Sequence, residues 1–134
     1  MNLLLDTHVI LWAAAAPYRL SSAAAQLISA PGNALWVSVA SLWEVAIKRA
    51  LNRRDFRIDA GTLRAGLLAN GYTELPVEGR HILALSTLPP LHADPFDRLL
   101  VAQAISEGMI LLTADRQLAG YGSSVRMTGG AWDS

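Results

Sequence analysis

Cysteine is absent from all 134 residues. That excludes disulfide staples, thiolate metal sites and cysteine nucleophiles, and makes an intracellular setting the simplest expectation. Charge is also scarce: Asp, Glu, Lys and Arg make up 16% and cancel to a formal net charge of zero. With no global basic field, any contact with nucleic acid must come from a local patch. Membrane-length apolar runs are missing too. Asp6 interrupts Leu3-Leu4-Leu5, and no positive segment precedes Leu3 as a signal peptide would require. The apolar stretch Val9–Ala16 falls far short of the ~20 residues needed to cross a bilayer. A soluble, cytoplasmic protein with no membrane partner is expected.

What is present is a chain that is 52% hydrophobic. At this length it can bury roughly two-thirds of its unfolded surface in one core. Apolar runs at 2–6, 34–39, 72–77 and 109–113 predict short buried strands, with a further edge strand at 125–127. Between them, helical patterns run over 8–16, 22–30, 41–51, 59–69, 79–88 and 94–107. The last is the most sharply punctuated, with Asp94 as cap, Pro95 in its first turn and Gly108 as its stop. In the helix expected from Ser41, the residues Trp43, Ile47 and Leu51 fall on one stripe. Strands alternating with helices predict a mainly parallel sheet covered on both faces. One domain over residues 1–134 is expected, since no linker, repeat or low-complexity segment divides the chain.

Four acids occupy related positions in this pattern. Asp6 and Asp115 directly follow strand-like segments, while Glu44 and Asp97 each lie three residues after a capping residue, Ser41 and Asp94. In an open α/β sheet, ligands bind beyond the carboxyl ends of the strands. Carboxylates converging there repel one another unless a hard cation sits among them. Three of these acids also have a purely local reading, whereas Asp97 is read as catalytic. Asp6 and Asp115 can cap the following helices, and Ser41-Leu42-Trp43-Glu44 fits a capping box. Asp94 is read as structural, with a supporting role beside Asp97. Thr7 is placed to hydrogen-bond Asp6 or cap a helix, whereas His8 is expected to pack or face solvent.

The remaining signals concern surfaces. Lys48, Arg49, Arg53, Arg54 and Arg57 form the densest basic stretch, and Lys48 lies one helical turn beyond Glu44. These residues, with Arg98, are candidate phosphate contacts; a solvated helix end is the alternative. Trp36 and Trp43 fall in core patterns, while Trp12 is a candidate for facing a partner; Trp132 is the fourth tryptophan.

The segments Leu3-Leu4-Leu5-Asp6-Thr7-His8, Ser38-Val39-Ala40-Ser41-Leu42-Trp43-Glu44, His92-Ala93-Asp94-Pro95-Phe96-Asp97-Arg98 through Ala104, and Leu112-Thr113-Ala114-Asp115 together resemble PIN-domain nucleases. The likeness is to the VapC-type ribonuclease toxins of toxin–antitoxin systems and runs over essentially the whole chain. It implies a three-layer α/β/α fold with a short, mainly parallel sheet of four to five strands. It also implies RNA hydrolysis assisted by one or two Mg²⁺ or Mn²⁺ ions. Asp6, Glu44, Asp97 and Asp115 match the family's acidic quartet, and Thr113 matches its hydroxyl near the last acid. A homodimer and a cognate antitoxin partner are implied as well. Two alternatives stay open. A haloacid-dehalogenase-type phosphatase would use Asp6 as nucleophile but wants a second acid where His8 stands, and a non-enzymatic module would keep only the fold.

Overall fold

The computed structural model describes residues 1–128; Trp132 lies outside them. Five strands form one sheet: β1 (Asn2–Leu5), β2 (Ala34–Ser38), β3 (Thr73–Leu75), β4 (Ile110–Thr113) and β5 (Val125–Met127). Their order is β3-β2-β1-β4-β5, and every pairing is parallel. Six α-helices connect them: α1 (Thr7–Ala15), α2 (Ser22–Ser29), α3 (Val39–Ala50), α4 (Ala60–Ala69), α5 (Gly79–Leu85) and α6 (Pro95–Glu107). Short 3-10 turns occupy Pro17–Arg19 and Arg116–Tyr121.

Alternation along β1 explains the layering. Leu3 and Leu5 join one apolar cluster with Val9 and Ile10 of α1, Val45 of α3 and Leu63 and Leu67 of α4. Leu4 points the other way, into a second cluster with Leu99, Leu100 and Ala104 of α6 and Leu118. Leu3, Leu4 and Leu5 are all fully buried, each worth about 2 kcal/mol of apolar transfer. The central strand is thus gripped on both faces, and Asp6 at its end is held on a rigid base. The resulting three-layer α/β/α architecture, with five parallel strands, is the one expected.

Helix α3 departs from expectation in its start. Ser38 is the cap, accepting from the Ala40 amide, so the helix begins before Ser41. Ser41-x-x-Glu44 is therefore not a capping box: Ser41 and Glu44 are buried on the inward stripe with Ala40 and Val45. This rotation turns Trp43 outward, where it is 58% exposed and packs edge-on against Phe96. Leu51 is exposed as well, so the stripe expected through Trp43 and Leu51 is wrong by about one residue of helical phase. Trp12 shows the opposite error, being 2% exposed in the core rather than facing a partner. Helix α6 agrees with its signals. Asp94 accepts from Phe96 and Asp97 amides, Pro95 opens the helix, and Gly108 ends it at φ +66°, a left-handed conformation that glycine adopts without penalty.

Candidate active site

The strand order reverses at β1, with β2 and β3 on one side and β4 and β5 on the other, and ligands of open α/β sheets bind at the carboxyl ends beside such a reversal. Asp6 follows β1 there, and its backbone N–H donates to Leu112 O at 3.0 Å, tying it to β4. Asp115 lies two residues beyond the end of β4. Helices α3 and α6 bring in Glu44 and Asp97. All four carboxylates line one cavity of about 560 Å³, together with His8, Lys48, His92, Asp94, Arg116 and Gln117. The acids that the sequence separates by more than a hundred positions thus share one wall-to-wall site.

The acids are oriented mainly by hydroxyl and backbone donors, and among the described residues Glu44 alone of the four pairs with a Lys or Arg cation, that of Lys48. Asp6 Oδ1 accepts from the Val9 amide at 2.9 Å, so it does cap α1, while Oδ2 accepts from the Thr113 hydroxyl. A carboxylate oxygen has more than one acceptor site, so capping does not exhaust either oxygen. Thr7 Oγ1 lies 2.6 Å from Glu44 Oε1 and 3.0 Å from Ser41 Oγ. The second Glu44 oxygen pairs with Lys48 Nζ. Asp115 caps the following turn through Oδ1, accepting from the Gln117 amide at 2.9 Å, and its own N–H donates to Thr113 Oγ1 at 3.0 Å. Thr113 thereby links two acids from neighbouring strands.

Electrostatics follows from this crowding. Burial above all, then the charges of Asp94, Asp6, Glu44 and Asp115, pushes the Asp97 carboxyl up to about 8. Burial also raises Asp6, against the lowering effect of the Thr113 hydroxyl and the Val9 amide. Asp97 therefore holds a proton near neutrality unless positive charge enters the cleft. The donor set is oxygen-rich and lacks sulfur, which matches hard divalent cations and not soft ones. The residues present fit such an ion.

Other expected residues are placed elsewhere. Lys48 lines the cleft, and its Nζ also lies 5.0 Å from the Phe56 ring centroid. Arg49, Arg53 and Arg57 line a second cavity of about 400 Å³ with Asn52 and Phe56, while Arg54 is simply exposed. Arg98 is outside the acidic cleft. It borders a neighbouring hollow with Pro90, Leu91 and Gln117, and its guanidinium reaches toward Leu85 O at 3.4 Å. His92, to which the sequence alone assigns no role, has its Nε2 2.9 Å from Asp115 Oδ2 and 3.6 Å from Asp97 Oδ2. Its spacing two residues before the cap Asp94 was the available signal. Ser41, expected to be a cap, instead reaches Thr7 inside the site.

Fold and site together define a class: an open parallel α/β domain with a carboxylate-lined, cation-ready cleft at its strand ends. The chain belongs to the PIN-domain family, whose model matches residues 3–123. Ribonuclease VapC22 of Mycobacterium tuberculosis (strain ATCC 25618 / H37Rv) is 33% identical over 120 residues, covering 90% of this chain and 92% of that protein. Among solved structures, VapBC2 from Rickettsia felis, bound to a promoter DNA fragment, shares the fold at TM-score 0.68 and 13% identity, covering 95% of this chain and 97% of that one. VapBC-1 from nontypeable Haemophilus influenzae does so at TM-score 0.62 and 19% identity over 100% of both chains. A toxin–antitoxin complex from Klebsiella pneumoniae gives TM-score 0.60 at 17% identity, covering 94% and 97%. Family membership sets aside the haloacid-dehalogenase alternative.

Proposed function

We propose that residues 1–134 form one nuclease domain, a metal-dependent endoribonuclease acting as the toxin of a toxin–antitoxin pair in the cytoplasm. The observation that carries this reading is the convergence of Asp6, Glu44, Asp97 and Asp115 on one cleft of a PIN-family domain. The ribonuclease name of the relative and the toxin–antitoxin titles of the fold neighbours support the substrate and the partner. Among the described residues no helix is long and apolar enough to cross a membrane.

Asp6 and Asp97 are assigned as the main ligands for one or two Mg²⁺ or Mn²⁺ ions, with Glu44 and Asp115 completing the set or orienting the attacking water. Bound there, such an ion supplies the positive charge a phosphodiester needs and lowers the pKa of the attacking water. The protein's own contribution is to hold the acids still. Thr113 and the Val9 amide fix Asp6, Thr7 and Lys48 fix the two oxygens of Glu44, and the Asp94 cap fixes the first turn that carries Asp97. Charge repulsion alone would expel RNA from this cleft, so Lys48 and Arg116 at its wall, and the Arg49–Arg53–Arg57 cavity beyond Phe56, are assigned to the phosphate backbone. A cognate antitoxin and a homodimer complete the proposal.

The test is cleavage of total RNA with Mg²⁺, Mn²⁺ or EDTA, run beside Asp6→Asn and Asp97→Asn. Metal-dependent cutting that both substitutions abolish supports the nuclease. Its absence from the wild-type protein favours a module that retains only the fold. Growth arrest on expression, relieved by a neighbouring gene product, tests the toxin role.

A further inference from the structure

His92 offers Nε2 close to Asp97 and Asp115, and the three ligand-type atoms lie within 4.8 Å of one another. Proximity alone would make the imidazole a metal ligand. Its other nitrogen argues differently. Nδ1 lies 3.0 Å from the Asp94 backbone nitrogen, whose N–H can only donate, so Nδ1 carries the lone pair that accepts it. In a neutral imidazole the proton then resides on Nε2, which points at Asp115 Oδ2, 2.9 Å away. Neither nitrogen has a lone pair left for a cation.

We propose that His92 is a positioning residue, locked by the Asp94 amide in its Nε2–H tautomer to clamp Asp115, and not a metal ligand. Asp115 is consequently gripped at both oxygens, Oδ1 by the Gln117 amide and Oδ2 by His92. The strap also joins two segments that must stay in register: the entry to α6, where Asp94 presents Asp97, and the residues after β4. The His92 side chain is only 10% exposed, while that of Asp115 keeps a face open to the cleft at 36%. Hydrogen-bonding partners of this kind behind a metal site typically contribute about 10- to 100-fold in affinity or activity. The fold uses the same geometry at His81, where Nδ1 lies 3.0 Å from the Glu78 backbone nitrogen and Nε2 faces Glu107.

The effect on cleavage rests on the nuclease reading; the tautomer does not, so two measurements are made without RNA. Two-bond ¹H–¹⁵N correlation on the wild-type protein should show His92 protonated at Nε2 and unprotonated at Nδ1. Pulsed EPR with Mn²⁺ alone should show no directly coordinated nitrogen that disappears in His92→Gln. Gln keeps a donor near the Nε2 position, so His92→Gln should hold Mn²⁺ affinity and RNA cleavage within about threefold, whereas His92→Phe should lose about tenfold or more in each. A proton on Nδ1, a Mn²⁺–nitrogen coupling that His92→Gln removes, or a fully competent His92→Phe would each overturn the proposal. If either variant does not fold, the tautomer read by ¹H–¹⁵N correlation on the wild-type protein still decides. Wild-type protein that never cuts RNA would sink the nuclease and leave the tautomer result standing.

Discussion

Among the described residues, two histidine–carboxylate clusters are built by the same device and left in opposite electrostatic states. At each, an imidazole Nδ1 accepts a backbone N–H near a helix start and Nε2 faces a carboxylate. Around His81 the acids are balanced. Arg80 pairs with both Glu78 and Glu107, and the His81 hydrogen bond, aided by Arg80, holds Glu107 below its ordinary value. Around His92 they are not: Asp97 is driven up to about 8 by burial and four neighbouring acids. Both clusters gather ligand-type atoms within 4.8 Å. Geometry therefore does not separate a structural cluster from a cation site; unmet charge does.

The sharpest way to break this contrast is to neutralise one acid in each. Asp97→Asn keeps size but removes charge, and should lower RNA cleavage by about a thousandfold or more, the scale of losing several kcal/mol of charge stabilisation. Glu107→Gln should leave the rate near wild type. Single-turnover cleavage of a labelled RNA checks both, and equal losses would erase the distinction.

Stability against pH should separate the clusters next. Folding raises the Asp97 carboxyl from 3.8 to about 8, so between those values the folded protein binds more protons than the unfolded chain. Without divalent cation, stability should then fall as pH rises through that window, by an amount on the order of a few kcal/mol. Added Mg²⁺ should raise Tm more at pH 8 than at pH 5, and Asp97→Asn should flatten the trend. A metal-free Tm that climbs steadily from pH 5 to pH 8 would contradict the frustrated-cleft account.

The acids were legible in the sequence because strand ends and helix starts are marked by local signals: three leucines before Asp6, and the Asp94-Pro95 start before Asp97. The parallel sheet was legible for the same reason. Helical phase was not. The choice between Ser38 and Ser41 as cap is tertiary: Ser41 accepts from Thr7, while Ser38 accepts from the Ala40 amide and donates to Gln103 Oε1 at 2.5 Å. Which face turns inward is set by what α3 packs against: Ser41, Glu44 and Val45 take the buried side, which leaves Trp43 on the surface. His92 opens the segment that carries the family resemblance, but a lone histidine in a proline-flanked loop has no periodicity to assign it a role; that role exists only once β4 delivers Asp115.

His81 should show a purely structural loss. It is fully buried and bridges three elements, since Gln103 Nε2 lies 3.3 Å from Nδ1 and Gln103 Oε1 takes the Ser38 hydroxyl at the cap of α3. His81→Ala empties a fully buried ring site and removes its bonds to the Glu78 amide and Glu107, and should destabilise by about 2–4 kcal/mol. Urea midpoints measure this, with the Mg²⁺-induced rise in Tm retained. Loss of that rise would mean that the balanced cluster transmits to the cleft.

The smallest expected effect sits on the acid limb. Glu107 is held below 4.5 when folded, so its contribution is present above that value and fades as pH falls through the folded one. This is the reverse of the Asp97 slope. Because Glu107 and Arg80 are partly solvated, at 19% and 52% side-chain exposure, screening keeps the contribution modest. Glu107→Gln should shallow the loss of Tm between pH 5 and pH 3, and Mg²⁺ should leave that limb unchanged. Salt should weaken it too, whereas the buried Asp97 limb should respond chiefly to divalent ions. A Mg²⁺-sensitive acid limb would show that the Arg80-paired cluster also takes a cation, and the two regions would differ in degree, not in kind.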